Sequence, residues 1–509
     1  MSNQSPQESS GLADAFLDRI ERVGNRLPHP MILFFIMALI VIIVSAIVSE
    51  LGIQVEHPTS GETIEAFNLL SAEGFQRILT EAVENFTGFA PLGVVLVAML
   101  GVGVADKGGL ISATLKKFVM GTPDKYITSA VVFAGVMSNV ASDAGYVVLV
   151  PLGAIIFSAR GRHPIVGLAA AFAGVSGGFS ANLLLSTLDP MMAGISQEAA
   201  QLIDSGYMVD PSVNYYFMIV STFLITVVGT WVTEKIVAPR FGEYTGDYTE
   251  SMEEVTAKER KGLKAAGLAL LVFIVILLIM TVPESGILRS ADGELIGGSS
   301  PFVGGMVPLI ALLFIIPGIA YGKSAGTIES SDDIAEFMEE SMNDMGAYVA
   351  LAFAAGQFVA YFEWTNIGTI LAISGAEFLE TIGFTGLPFV IVFILVSGFI
   401  NLFVGSASAK WAIMAPVFVP LMMQLDYAPE FAQMAYRIGD STTNIITPLM
   451  PYFAIIIAFA QKWDEDIGLG TLISTMVPYS IAFMIAWTFL LIIWFIFGLP
   501  LGPAGSIFL

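Results

Sequence analysis

Apolar runs of membrane length follow one another along this chain, with short polar stretches between them. Residues 30–51, 86–105, 215–232, 265–282, 302–321, 345–362 and 472–497 each approach the ~20 apolar positions that an α-helix needs to cross a bilayer. Four further runs, 126–158, 164–188, 388–425 and 431–457, are just as apolar but interrupted, by SNVASDAG, GVSGGFSAN, GSASAK and YRIGDSTTN. Polar side chains and irregular backbone persist at membrane depth only where they face a cavity or one another. The interruptions therefore mark a binding site.

The interrupted stretches occur twice. GVMSNVASDAGYVVLVP (135–151) lies over GFINLFVGSASAKWAIMAP (398–416), matching Asn139 with Asn401 and, after a three-residue insertion, Tyr146 with Trp411 and Pro151 with Pro416. Pro164 meets Pro429, and GGFSANLLL (177–185) lies over GDSTTNIIT (439–447), pairing Asn182 with Asn444. Upstream, LTEAVENFTG (79–88) matches FMEESMNDMG (337–346) at Glu81/Glu339, Asn85/Asn343 and Gly88/Gly346. One unit has been used twice.

Placing lysine and arginine on the cytoplasmic face puts Arg19, Arg22 and Arg26 inside, the acidic stretch 50–84 outside, and Lys107, Lys116, Lys117 and Lys125 inside again. Arg160 and Arg162 then bring both ends of 126–158 to the same face, which makes this run a re-entrant hairpin. The same bookkeeping leaves an odd number of spans between the copies and inverts the second, whose hairpin, 388–425, enters from outside. The fold class expected is an all-α polytopic membrane protein with nine spans and two re-entrant hairpins. Its parts are an N-terminal cytoplasmic segment (1–29), a first repeat (30–236), a cytoplasmic loop with a linking span (237–301), a second repeat (302–498) and a tail (499–509). Inverted repeats of this kind are the architecture of alternating-access transporters.

Composition narrows the function. Hydrophobic residues make up 55% of the 509 positions and charged ones 13%, with mean hydropathy +0.79, so a soluble enzyme is excluded. The net charge of −23, read as solvated acidic loops concentrated at 329–344, argues against a nucleic-acid partner. There is no cysteine, and His29, His57 and His163 each precede a proline in a loop, so neither thiolate nor histidine metal chemistry is expected. HExxH and P-loop motifs are absent, which removes zinc proteolysis and ATP-driven pumping. An intramembrane aspartyl protease lacks its GxGD motif and leaves the repeat unexplained, while a channel would not need hairpins that occlude from both sides.

At SNVASDAGYVVLVPL, STLDP, GSASAKWAIMAP and YRIGDSTTNIITPLMPY, and over essentially its whole length, the chain resembles the AbgT family of p-aminobenzoyl-glutamate transporters, within the ion transporter superfamily. The resemblance implies a homodimer in the bacterial inner membrane, each subunit with nine helices and two hairpins. It also implies uptake of p-aminobenzoyl-glutamate or export of sulfonamide antimetabolites, driven by an ion gradient. Carried over by motif are Asp189 in STLDP, Ser408 and Trp411 in SASAKW, Arg437 and Asp440 in YRIGD, and Pro448 in ITPLMP.

The residues have their own logic beside the resemblance. Arg437 and Asp440, three apart, share a helix face and either neutralise each other or form a substrate and proton site; the Arg437 fork suits a carboxylate. Trp411, next to Lys410 in the hairpin tip, is either packing or the face for a benzenoid ring. Asn139, Ser142, Asp143 and Gly145 with Asn182 and Ser180, and in the second copy Ser406, Ser408, Thr442, Thr443 and Asn444, offer oxygens for sodium or merely satisfy loop backbone. No cofactor is expected beyond a coupling ion, H⁺ or Na⁺. The function expected is gradient-driven secondary transport of aromatic, folate-related solutes, with sodium-coupled dicarboxylate transport as the alternative.

Overall fold

The computed structural model describes residues 30–56, 63–141, 145–244, 255–291, 293, 295, 300–447, 450, 452–503 and 505–509. The described residues are 74% helical. Helix α1 (Pro30–Glu50) is 21 residues long, about 31 Å at 1.5 Å per residue, and so matches a bilayer core. The acidic stretch after it contains a two-stranded antiparallel pair, β1 (Gln54–Glu56) and β2 (Thr63–Glu65), in the register Gln54↔Glu65. This pair departs from the all-α expectation; three alternating residues per strand are too short a signal to read in advance.

Short helices α2 (Ala72–Thr80) and α3 (Ala82–Thr87) lead to α4 (Ala90–Lys107) and α5 (Leu110–Met120). The last two are bent by 57° at Gly108–Gly109, where Gly109 adopts φ 88°, a conformation that costs glycine little. The first hairpin has arms α6 (Ile127–Ser138) and α7 (Val150–Ala159), joined through a π-turn at Gly145–Leu149. With 12 and 10 residues these arms reach roughly 18 and 15 Å, half of a bilayer each.

Helix α8 (Pro164–Phe172) opens on a proline, runs into a π-turn at Ala173–Gly177 and breaks. The chain then forms α9 (Leu188–Ala200), beyond the end of the interrupted run 164–188. Nine of its 13 residues are buried, because LDPMMAGISQEAA places apolar and small residues on the face turned to the core. Helix α10 (Tyr215–Val232) continues through a π-turn, and α11 (Ala257–Thr281) starts at a Thr256/Glu259 capping box.

The second half repeats the plan. It comprises α12 (Met306–Ala325), α13 (Ser331–Asp344), α14 (Gly346–Trp364) and α15 (Ile367–Thr381). The hairpin arms α16 (Gly386–Asn401) and α17 (Ala407–Gln424) follow, then the broken pair α18 (Pro429–Asn444) and α19 (Phe453–Gln461), and finally α20 (Leu469–Phe497). The acidic run near 329–344, expected as loop, is thus the helix α13, held at its start by a Ser330/Asp333 capping box. Among the described residues five helices are long and apolar enough to cross a membrane, or up to seven if each bent pair is one span.

The broken helices lie in the centre. Every residue of α18 is buried although its sequence, PEFAQMAYRIGDSTTN, is largely polar. It is packed that tightly because α16 crosses it at glycine: a Cβ on Gly439 would sit 2.3 Å from the Ile394 carbonyl. Burying such a helix requires that each polar group find a partner, and those partners define the site.

Candidate functional site

Two ion pairs cross the centre. Arg437 Nη2 lies 2.6 Å from Asp189 Oδ1, with side chains 1% and 0% exposed. Lys410 Nζ lies 2.5 Å from Asp440 Oδ1, with side chains 0% and 1% exposed. Arg437 and Asp440 therefore do not neutralise each other: three residues on a helix diverge by about 60° around the axis, so one turns to α9 and the other to the second hairpin. A buried pair of this kind repays its desolvation only when the remaining donors and acceptors are met, and the two pairs differ in how far this is so.

Asp189, in the first turn of α9, is fully engaged. Its Oδ2 accepts the Ser186 backbone N–H at 2.7 Å and the Ser186 hydroxyl at 3.0 Å. Its partner is not: among the described residues Arg437 Nε and Nη1 have no hydrogen-bond acceptor. Asp189 thus acts as a fixed anchor that aims a guanidinium with unused donors into the core.

The Lys410–Asp440 pair sits in a closed cage. Lys410 also donates to Asn401 Oδ1 and, at 3.5 Å, to the Val404 carbonyl. Asn401 Nδ2 lies 2.8 Å from the Asp440 carbonyl, from Thr443 Oγ1 and from Asn444 Oδ1. Asn444 Nδ2 in turn lies 3.5 Å from Asp440 Oδ2, and the Tyr436 hydroxyl donates to the Ala407 carbonyl at 2.6 Å. Asn401 was visible only as a repeat match, and its position opposite Asn139 was the signal that it belongs to the site.

Trp411 is completely buried, stacks on Tyr436 at 4.5 Å between centroids, and donates its indole N–H to Ser196 Oγ at 3.0 Å. Ser196 donates to Gln433 Oε1 at 2.6 Å, and Gln433 Nε2 to Asn214 Oδ1 at 2.8 Å. In this conformation Trp411 has no open face; it ties the second hairpin to α9 and α18. Ser196, Gln433 and Asn214 carried no local motif that would have singled them out.

The first hairpin is built more simply. Asn139 Nδ2 donates to the Val136 and Gly178 carbonyls at 3.2 and 3.4 Å, and Asn182 Nδ2 to Val136 at 3.4 Å. Asn139 Oδ1 and Ser180 Oγ, both buried, have no partner among the described residues. Gly145 opens the π-turn with no room for a side chain, since a Cβ there would lie 2.0 Å from Ser138 Oγ. Ser406 caps α17 by accepting from Ala409 N at 3.4 Å and lies 3.4 Å from Ser408 Oγ. Ser142, Asp143 and Pro448 lie outside the described residues. Among the described residues no group of three or more His, Cys, Asp or Glu is placed to hold a metal.

Membrane-length helices around a polar core of broken helices and buried ion pairs are those of an integral-membrane transporter rather than an enzyme. The model of the AbgT putative transporter family matches residues 15–509, and the chain belongs to that family. It is 39% identical over 484 residues, 95% of each chain, to the p-aminobenzoyl-glutamate transport protein of Escherichia coli strain K12. Among solved structures it is similar to the Neisseria gonorrhoeae MtrF antimetabolite efflux pump, with TM-score 0.91, 49% identity and coverage of 96% of this chain and 100% of that one. The Alcanivorax borkumensis YdaH transporter matches with TM-score 0.89 and 43% identity over 94% of this chain and 100% of its own.

Proposed function

We propose that this protein is an ion-gradient-driven secondary transporter of aromatic carboxylates such as p-aminobenzoyl-glutamate, or of sulfonamide antimetabolites, acting as a homodimer in the bacterial inner membrane. The observation that carries this reading is the buried Arg437, held through one nitrogen by Asp189 and with Nε and Nη1 uncommitted. A guanidinium with free donors in a water-poor core is a receptor for a planar carboxylate or sulfonyl group. Trp411 and Tyr436 supply the adjoining aromatic wall, which opens to a ring when the second hairpin moves. The name of the Escherichia coli relative gives p-aminobenzoyl-glutamate, and that of the Neisseria relative gives antimetabolites.

Nine spans and two hairpins follow if the five continuous helices, the two bent pairs and the two broken helices each count once. The division into repeats at 30–236 and 302–498 goes with that count. For coupling, Asn139 and Ser180 offer oxygens unpartnered among the described residues to sodium, near Gly145 and Asn182; Ser142 and Asp143 join this proposal by their place in the sequence motif. Asp440 offers a carboxylate to a proton once Lys410 withdraws, with Asn444 beside it; Ser406, Ser408 and Pro448 join this proposal by their motifs in the sequence. The test is flux of radiolabelled p-aminobenzoyl-glutamate and of a sulfonamide in proteoliposomes under imposed pH or sodium gradients of either sign. Saturable, gradient-dependent accumulation is expected; flux that neither saturates nor responds to any gradient would contradict the reading.

A further inference from the structure

Away from the ion pairs, a cavity of about 840 Å³ opens between the α4–α5 bend, the second arm of the first hairpin, the start of α11 and the ends of α12 and α19. Its volume falls in the range of roughly 300–1,000 Å³ usual for small-molecule sites. One wall is apolar, from Pro151, Leu152 and Ile155 of hairpin arm α7. The lining also carries three lysines from three separate elements, Lys116, Lys258 and Lys462, against one acid. That acid, Glu259, is already engaged: it accepts the Thr256 backbone N–H at 2.5 Å and faces Lys116 Nζ at 3.9 Å. Lys258 and Lys462 have no ion-pair partner among the described residues, and Lys462 stands 5.4 Å over the Phe459 ring. Trp463 and Tyr321 complete an aromatic lining.

The combination selects a chemistry. Two uncommitted ammonium groups favour a solute with two negative charges, while Phe459, Trp463 and Tyr321 favour one that also carries a ring. A small aliphatic dianion would leave the rings unused, and a neutral aromatic would leave the lysines unused. The cavity also touches the arm that carries the first hairpin tip, so a solute held here lies against an element that must move in any alternating cycle.

We propose that this cavity is a second, recruiting site for aromatic dianions, with Lys258 and Lys462 on the anionic groups and Phe459 and Trp463 on the ring, separate from the Arg437 centre. The inference rests on the reading of the protein as a transporter of anionic aromatic solutes. Full-length wild type is compared with the Lys258→Gln/Lys462→Gln double variant, both lysines being exposed and their removal compatible with folding. Two readouts are used: p-aminobenzoyl-glutamate quenching of the fluorescence that Trp463→Phe removes, and exchange flux in proteoliposomes.

The double variant should raise the KM for flux about three- to tenfold at unchanged maximal rate, the effect of losing two solvent-accessible charge contacts. The wild-type KM should rise with salt more steeply than the variant's. Normal flux together with an unchanged KM and no Trp463-dependent quenching would overturn the cavity and leave the transport reading standing. Lysine-dependent quenching without any flux would leave the cavity standing and overturn the transport reading. Absence of quenching by p-aminobenzoyl-glutamate and by simpler aromatic dicarboxylates alike would overturn the proposal.

Discussion

The two hairpin tips do the same backbone job with opposite chemistry. In the first half Asn139 donates to the carbonyl of Gly178; in the second Asn401 donates to the carbonyl of Asp440. These are matched positions of the repeat, as are Asn182 and Asn444. Beyond that bond the halves part. Where the second half has Asp440 and Lys410, the first has Gly178 and Gly145, so its asparagine oxygen faces no ammonium. The aromatic partners also differ: Tyr146 stacks on Tyr452 at 4.6 Å and 3°, whereas Trp411 stacks on Tyr436. Duplication supplied a common scaffold, and among the described residues divergence left neutral oxygens at these positions of one copy and charge in the other. The charged copy carries its cation covalently, on Lys410.

The largest break in this comparison is removal of Lys410. Lys410→Met leaves Asp440 buried without its counter-charge and should cost about 3–5 kcal/mol, read as a lower Tm in detergent. Adding Asp440→Asn should restore most of the loss, because the pair then becomes neutral on both sides. A double variant no more stable than Lys410→Met would show that the pair is not coupled.

Next in size is the contrast between the two asparagines. Asn401→Ala removes an acceptor from a buried ammonium and should cost about 1.5–3 kcal/mol, whereas Asn139→Ala removes only neutral contacts and should cost about 1 kcal/mol. If sodium couples through the first half, Asn139→Ala should instead raise the sodium concentration for half-maximal flux, and Asn401→Ala should do so less. Equal effects of both substitutions on stability and on sodium dependence would erase the distinction drawn here.

The smallest effect concerns how each broken helix begins. Helix α8 starts at His163–Pro164, with His163 Nδ1 accepting the Ile165 N–H at 3.3 Å between the rings of Phe241 and Tyr244. Helix α18 starts at Ala428–Pro429, with nothing to titrate at its cap. Burial holds the His163 imidazole below its ordinary pKa, opposed by Asp464. The unfolded chain therefore binds the proton first, and stability should fall as pH drops below about 6.5, the unfolded value. His163→Asn, which keeps a cap acceptor, should flatten Tm against pH in that window. A slope unchanged by the substitution would assign the effect elsewhere.

Much of this was legible in the chain. Period and charge placed several long helices within a few residues, as at Tyr215–Val232, although α11 starts at Ala257 rather than 265, and the repeat alone matched Asn139 with Asn401 and Asn182 with Asn444. The pairing of charges was not legible. Spacing put Arg437 next to Asp440, yet Arg437 found Asp189, 248 positions away, through the packing of α9 on α18. Helix α9 itself was hidden because its acids resembled loop, and its amphipathic face has meaning only beside α18. Trp411 read as either packing or the face for a ring, and the Ser196–Gln433–Asn214 chain that ties it down runs between distant segments and leaves no local pattern.

In the function proposed, Arg437, aimed by Asp189, receives the anionic group of the solute. The most direct test of this role is p-aminobenzoyl-glutamate affinity in Arg437→Lys, which keeps the charge and the pairing with Asp189 but loses the planar fork. The account expects affinity to fall at least tenfold, one lost charge-assisted hydrogen bond being worth about 1.5–3 kcal/mol, with the protein still folded and the affinity of a neutral aromatic amide unchanged. Wild-type affinity in Arg437→Lys, or equal losses for the neutral amide and the dianion, would contradict it.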